Sequence, residues 1–374
     1  AKRGDDEHAA IYRRPVGGGE SRQVQAHPGT IASASTSPDG ATILYLATPE
    51  KSEARKTLEK QGFDHVVYEE DWVAQQLWLL RPDAGADAKA LAVPGSVRRV
   101  RWHPDGRHVA VATTPTPSVD DGFIRQRLLI FDTQDNTVTR DITRAGKLGP
   151  FEFSPDGKHL ALIAGEDMND PRDGRLMVVA LASDDAKPVD LMPGLEGHVT
   201  SLAWEGPATI SWIAALGTGS RLGSVDLTGK VTQRVDGGPV LRSLSRADDG
   251  TLALVGHTAR HPGEVFSVTP GTSPARLTNS NPWLDDIALG EQETITWPAR
   301  DGLELQGVLI KPGNYEPGKR YPVLVYFYRF FSQRLHEFNQ PVVNHRPNFP
   351  LYASNGYAVF LPDVRFEIGR PGLS

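Results

Sequence analysis

The chain has 374 residues, of which 39% are hydrophobic and 23% charged, and its formal net charge is −6. This composition excludes a disordered or fibrous chain, the length suits two domains, and the mild acidity gives no reason to expect a nucleic-acid partner. Cysteine is absent, which excludes disulfides, thiolate metal sites and a cysteine nucleophile. No apolar run is long enough to span a membrane.

The first predicted elements are two strands within residues 9–27, followed by the phrase SPDGATILYLA at 37–47. Similar phrases recur at 103–113 (HPDGRHVAVAT) and 154–165 (SPDGKHLALIAG). In each phrase proline presets φ, aspartate bonds nearby backbone amides, and glycine accepts the positive φ that closes a hairpin. The strand that follows is almost entirely apolar, as expected for a strand buried on both faces.

A charged insertion separates the first phrase from the second. Residues 50–62 predict a short helix that ends at Gly62, with an ion pair between Arg55 and Glu59. The acidic residues Glu69, Glu70 and Asp71 follow. A charged run of this kind is usually a solvated face.

The turn phrase recurs at a regular spacing. Successive copies are 44 to 66 residues apart, with their glycines at Gly40, Gly106, Gly157, Gly206 (a degenerate copy) and Gly250. A second pair of strand signals follows each hairpin, for example at 76–80 and 127–132. Short-strand units at this period favour β-propeller blades over a β-sandwich. We therefore expect a mainly β fold, with about five to six blades visible in an incomplete ring and 9–27 as an outer hairpin that begins partway through a blade.

A different order of elements begins at residue 293. Residues 293–331 predict two strands joined by a D-G turn, then a Pro/Gly loop, then a hydrophobic strand at 323–328. Residues 349–364 predict a short helix, an N-G stop and another buried strand. Strand, helix and strand in this order are typical of the opening of an α/β sheet.

Taken together, these elements resemble the prolyl oligopeptidase family of serine peptidases, in its dipeptidyl-peptidase and acylaminoacyl-peptidase branches. The resemblance is carried by the propeller turns, by a hairpin containing Asp301, Gly302, Leu305 and Gly307, and by KRYPVLV at 319–325. It covers essentially the whole chain. It implies a β-propeller domain over 1–285 and the N-terminal part of an α/β-hydrolase domain over 286–374.

The resemblance also implies a function. The parent protein would be a serine exopeptidase or oligopeptidase that hydrolyses short peptides, with the propeller restricting access to the active site. Such hydrolases use Ser, Asp and His in that order, with the serine in a G-x-S-x-G turn. No G-x-S-x-G occurs in this sequence, so we expect the triad to lie beyond residue 374 and this chain alone to be inactive.

Two groups of site residues follow from the resemblance. Tyr328, with Tyr326 as second choice, matches a tyrosine that supplies an oxyanion-hole donor; the alternative is a strand-end aromatic that packs into the core. Glu69 and Glu70 match a glutamate pair that grips the free amine of a substrate; the alternative is the solvated face described above.

The sequence predicts neither a metal site nor a cofactor. His257 and His261 are four residues apart, but they have no carboxylate partner in a metal-binding motif. The expected partner is a peptide substrate. A propeller that serves only as a binding or scaffold module is the alternative function. Oligomeric state, including a homo-oligomer, stays open, as does the choice between a periplasmic or secreted location and a cytoplasmic one.

Overall fold

The computed structural model describes residues 3–4, 6–84, 87–142, 146–168, 174–269, 272–328, 331–343 and 346–365. The chain forms two compact units, Ala1–Asp173 with Met177–Val189 and Gly174–Leu176 with Asp190–Ser374. The domain boundary predicted from the sequence, after residue 285, does not coincide with the boundaries of these two units and stays a prediction. Within the described part of the chain, no helix combines the length and apolar character that a membrane span requires.

The chain begins with a two-stranded antiparallel sheet of β1 (Ala9–Arg13) and β2 (Arg22–His27). Five four-stranded sheets follow, each with its strands in sequence order; we call these sheets blades. The first three blades contain β3 (Ile31–Thr36), β4 (Ile43–Ala47), β5 (Gln76–Leu80) and β6 (Lys89–Ala90); β7 (Ser96–Trp102), β8 (His108–Thr114), β9 (Arg127–Asp132) and β10 (Thr137–Asp141); and β11 (Leu148–Phe153), β12 (His159–Ala164), β13 (Arg175–Ala180) and β14 (Val189–Asp190).

Two further blades belong to the second unit. They contain β15 (His198–Trp204), β16 (Thr209–Leu216), β17 (Gly219–Asp226) and β18 (Val231–Asp236); and β19 (Val240–Arg246), β20 (Leu252–Thr258), β21 (His261–Val268) and β22 (Ala275–Arg276). Consecutive strands in both blades pair antiparallel. Five blades and an additional strand pair at 9–27 agree with the repeat count predicted from the sequence.

The blade turns form as the sequence predicts. The glycine N–H donates to the carbonyl three residues earlier in each of the four clear copies, at 2.8 to 3.1 Å, and the glycine φ values lie between 67° and 87°. The strands after the first three turns, β4, β8 and β12, are almost completely buried. The degenerate copy keeps its hairpin between β15 and β16, although Gly206 is absent from the glycines with positive φ.

The first unit also contains two short helices, α1 (Glu53–Lys60) and α2 (Val119–Ile124). The hydroxyl of Ser52 caps α1 by accepting the N–H of Arg55, and Gly62 follows the helix with a φ of 87°. Arg55 and Glu59 form the predicted ion pair at 3.1 Å. No residue of α1 is buried, so the predicted charged insertion is solvated.

A mixed sheet ends the second unit. It contains β23 (Gln292–Pro298), β24 (Glu304–Ile310), β25 (Val323–Val325) and β26 (Ala358–Pro362), in the order β23-β24-β26-β25. Strands β25 and β26 are parallel, and α3 (Phe349–Ser354) lies between them in sequence, because parallel neighbours need a crossover connection. The predicted strand 323–328 is shorter in the structure, since β25 pairs with β26 alone and only over three residues.

Candidate functional site

The predicted oxyanion-donor site lies where β25 ends. The N–H of Tyr326 donates to the carbonyl of Phe360 at 3.0 Å, which extends the pairing with β26 by one residue. The Tyr326 ring packs on Phe331 and Phe349, with centroid distances of 5.6 and 5.2 Å. Tyr328 is 65% exposed. Of the two tyrosines, Tyr326 therefore fits the packing alternative, and Tyr328 is accessible to a ligand.

A carboxylate at the end of β26 fixes the chain that follows Tyr328. Asp363 accepts the N–H groups of Phe331 and Ser332, the second at 2.9 Å. Its own N–H donates to the carbonyl of Gln306 on β24 at 2.8 Å, and the Gln306 side chain donates to the Ser332 hydroxyl at 3.1 Å. Sequence reasoning missed this anchor, because Asp363 lies 32 and 31 residues from the two amides that it binds.

The residues after this anchor, 331–343 together with Arg346, carry several charged side chains, and we call them the arginine segment. Glu337 is 17% exposed and accepts a hydrogen bond from Arg242 of β19 at 3.0 Å. The Gln292 side chain of β23 donates to the Glu337 carbonyl at 3.2 Å and accepts from Asn339 at 3.1 Å. The arginine segment is thus bonded both to a blade and to the mixed sheet of its own unit.

Two basic side chains near Glu337 sit in an unfavourable environment for their charge. Burial, and then the charge of Arg242, lower the pKa of His257, so this histidine is neutral at neutral pH. Burial, and then the charge of Arg346, lower the pKa of Arg334. The Arg334 guanidinium lies 5.6 Å from the centre of the Phe331 ring. Within the described residues, it has neither a hydrogen bond nor an ion pair.

The predicted glutamate pair belongs to the first unit. Both side chains are exposed, in a turn closed by hydrogen bonds from the N–H groups of Glu70 and Asp71 to the Val67 carbonyl, at 3.2 and 3.0 Å. The Asp71 carboxylate accepts the N–H of Val67 at 2.8 Å and lies 3.5 Å from Arg55. Asp71 is therefore used to build the turn. The carboxylates of Glu69 and Glu70 have no such partner in the described part of the chain.

The turn also contains a strained residue and exposed rings. Glu69 has a φ of 70°, a conformation that is uncommon for any residue except glycine. The rings of Tyr68 and Trp72, on either side of the glutamates, meet edge to face at 6.4 Å, and both are partly exposed. Strained backbone is often found at binding sites. The structure describes Glu69 and Glu70 within the first unit and Tyr328 within the second.

No group of three or more His, Asp or Glu side chains among the described residues is arranged to hold a metal ion. His257 lies on β20 and His261 opens β21. His257 is 7% exposed, and its Nε2 finds no hydrogen-bond partner in the part of the chain that the structure describes.

Compared by sequence, the chain matches no family model and no curated protein. By structure it resembles a puromycin-hydrolyzing peptidase of Mycobacterium tuberculosis, with a TM-score of 0.65 and 14% identity over 94% of this chain and 54% of that one. A puromycin hydrolase has a TM-score of 0.63 and 17% identity, with 93% and 53% covered. Dipeptidyl peptidase 4 of Porphyromonas gingivalis has a TM-score of 0.61 and 16% identity, with 92% and 53% covered.

These likenesses establish the fold. The mainly β, propeller-type architecture predicted from the sequence is confirmed, and the resemblance to peptidases of the prolyl oligopeptidase type holds at the level of the fold. The chain spans about half the length of each of these three peptidases.

Proposed function

We propose that this chain is the propeller and the first part of the hydrolase domain of a serine peptidase that hydrolyses short peptides. The observation that carries the proposal is the order of the sheets. Five antiparallel blades precede a mixed sheet with one parallel pair, and this order matches peptidase folds over more than nine-tenths of the chain. Propeller blades alone would suit a binding module equally well; the mixed sheet favours the peptidase.

In this proposal the nucleophile belongs to the half of the peptidase fold that the present chain does not span. The test is to express the protein at the full length that its gene encodes, beside the 374-residue chain, and to treat both with a fluorophosphonate serine probe. We expect the probe to label the full-length protein alone, and only that protein to cleave short peptides. Labelling of the 374-residue chain, or failure to label the full-length protein, would contradict the proposal.

Within this peptidase, Tyr328 would donate its hydroxyl to the oxyanion of the tetrahedral intermediate. Its exposure at the end of β25, next to the Asp363-anchored turn, supports the role. Removing one oxyanion-hole donor typically lowers kcat by about 10²–10³-fold. Tyr328→Phe is therefore expected to lower kcat by about that factor and to leave KM little changed. Tyr315→Phe, at another partly exposed tyrosine of the same unit, is the matched control.

Glu69 and Glu70 would bind the free amine of the substrate. Their exposed, unpaired carboxylates and the strained backbone at Glu69 support this role, because carboxylates bind ammonium groups through charge-assisted hydrogen bonds. Glu69→Gln and Glu70→Gln should raise KM for peptides with a free amine and leave the cleavage of N-acetylated peptides unchanged. Asp64→Asn removes an exposed carboxylate close by in sequence and serves as the control. An equal rise in KM for both types of peptide would show that the two glutamates do not bind the substrate amine.

A further inference from the structure

The arginine segment contains more positive charge than its carboxylate can neutralise. The charges of Arg346 and Arg242 both act on Arg334, and among the described residues one acidic side chain, Glu337, opposes them there. Glu337 is already engaged by Arg242 at 3.0 Å. Nothing comparable neutralises Arg334 within the described residues. Its partial burial removes much of the water that would otherwise solvate the charge, and an arginine in that situation is costly unless an anion pairs with it.

Unsatisfied polar atoms accompany this excess of charge. Among the residues that the structure describes, the buried Nε of Arg346 has no hydrogen-bond partner, and neither has the Nε2 of His257. The Nη1 of Arg346 makes only a long contact, 3.5 Å, to the carbonyl of Gln340. Buried polar groups are nearly always satisfied in folded proteins. The unpaired Nε–H of Arg346 therefore indicates a place where an acceptor is expected to bind.

We propose that Arg334 and Arg346, with Arg242 at the rim, bind a carboxylate of a peptide ligand. The planar guanidinium fork matches the two oxygens of a carboxylate, and such charge-assisted pairs are the stronger hydrogen bonds in proteins. The identity of the ligand as a peptide rests on the function proposed above. The carboxylate site itself rests on the arginines alone.

The location of this site suits a substrate role. The arginine segment starts at Phe331 and Ser332, whose N–H groups are held by Asp363. In the sequence it begins three residues after Tyr328. The Phe331 ring lies between Tyr326 and Arg334, with its centre 5.6 Å from the Tyr326 ring and 5.6 Å from the Arg334 guanidinium. A bound carboxylate would thus lie close to the end of β25, and a peptidase built in this way would prefer short peptides with a negative charge near the scissile bond.

A purely structural role for Arg334 makes different predictions. Its guanidinium lies near the Phe331 ring. A cation–π contact of this kind contributes to stability without any ligand. Arg334→Gln would then lower the melting temperature and leave ligand preference untouched. A ligand role predicts the reverse, which is a small change in melting temperature and a loss of preference for negatively charged ligands.

The test uses the protein at the length that its gene encodes, with the serine that the fluorophosphonate labels replaced by alanine so that no peptide is consumed. Peptide turnover is measured separately in the unsubstituted protein. Isothermal titration compares Gly-Gly-Gly with its C-terminal amide, and Gly-Glu-Gly-amide with Gly-Gln-Gly-amide. We expect the charged member of one pair to bind about tenfold or more tightly, as befits a charge-assisted bond. Preference within the first pair assigns the C-terminal carboxylate as the ligand, and preference within the second assigns an acidic side chain.

The variants Arg334→Gln and Arg346→Gln should abolish the preference. The matched control Arg260→Gln removes an exposed charge from the β20–β21 turn and should retain it. Equal binding of the charged and neutral members in the wild-type protein overturns the proposal, as does a preference that survives in Arg334→Gln. If the protein prefers the charged ligands but cleaves no peptide, the carboxylate site is supported and the proposed function fails. If it cleaves peptides but shows no such preference, the proposed function is supported and the carboxylate site is overturned.

Discussion

The blade turns and the arginine segment contain the same kinds of charged side chain but differ in how those charges are satisfied. In the turn before β8, the Asp105 carboxylate accepts the N–H of Arg107 at 2.8 Å and contacts Nδ1 of His108 at 2.7 Å. Arg107 in turn donates to Asp132 and Asp135, both at 2.7 Å. Hydrogen bonds from Arg107 lower the pKa of Asp132 to about 2. Every charge in this turn has a partner within its own blade.

The arginine segment lacks such local neutralisation. Its one described carboxylate pairs with a residue 95 positions away in the sequence, and the buried Nε of Arg346 has no hydrogen-bond partner in the described part of the chain. The difference teaches that charged residues whose partners lie within one blade stabilise that blade. Charges that the fold brings together and leaves unpaired are the ones from which a ligand site can be inferred. The following predictions test this contrast.

The largest effect is expected where the arginine segment is anchored. Asp363→Ala leaves the N–H groups of Phe331 and Ser332 without their acceptor, and losing bonds to a charged group costs about 3 kcal/mol. We expect urea unfolding to report that loss and hydrogen exchange to quicken at amides of residues 331–343. Exchange in the blade turns should stay unchanged. Asp363→Asn keeps an acceptor and should give an intermediate result; equal exchange in wild type and Asp363→Ala would contradict the anchor.

Glu264 tests whether a charged side chain stabilises the fold because its hydrogen bonds are made, and not because its partners are close in the sequence. Its buried carboxylate accepts from the hydroxyl of Thr278 and from the N–H of Ser280 at 2.8 Å, and it lies 3.2 Å from Arg276. Burial alone would raise the pKa of Glu264, but these bonds lower it to about 2. Glu264→Gln should cost about 2 kcal/mol at neutral pH.

The pH dependence of this effect has a definite sign. Because the folded pKa of Glu264 lies below 4.5, the ordinary value of a glutamate, the unfolded state binds the proton more readily. The stabilisation is therefore present above pH 4.5 and is lost as the pH falls towards 2. Melting temperatures of wild type and Glu264→Gln, measured from pH 7 down to pH 2.5, should converge. A constant difference across that range would show that the charge is not the stabilising feature.

Much of the fold could be predicted because its information is local. The blade turns need only proline, aspartate and glycine in adjacent positions, and the apolar strands after them read directly as buried. The strand at 323–328 was predicted too long because its length depends on pairing with β26, more than 30 residues later. The Asp363 anchor and the Arg242–Glu337 pair join distant residues and have no local signal. The roles of Tyr328, Glu69 and Glu70 stay predictions.

A smaller effect separates two copies of the blade turn. Gly40 and Gly157 both have a φ of 72°, but a Cβ at Gly40 would meet nothing, whereas one at Gly157 would lie 2.4 Å from Nε2 of His103. That histidine nitrogen also bonds the Gly157 carbonyl at 2.9 Å. Gly40→Ala should cost about 1 kcal/mol through the left-handed backbone alone. Gly157→Ala should cost about 1 kcal/mol more, through the lost hydrogen bond. Equal midpoints in urea would show that His103 moves aside freely.

The smallest effect concerns two helix caps with the same hydrogen-bond distance. Ser52 caps α1 and Asn348 caps α3, each accepting an N–H three residues later at 3.2 Å. Helix α1 buries no residue, whereas α3 buries Phe349 and Ala353. Asn348→Ala should therefore lower the free energy of unfolding by about 1 kcal/mol. Ser52→Ala should leave it unchanged and only speed hydrogen exchange within α1. If the two substitutions shifted the urea midpoint equally, the exposed helix α1 would have to unfold together with the rest of the protein. Hydrogen bonds made within a segment would then not be enough to show that the segment unfolds on its own.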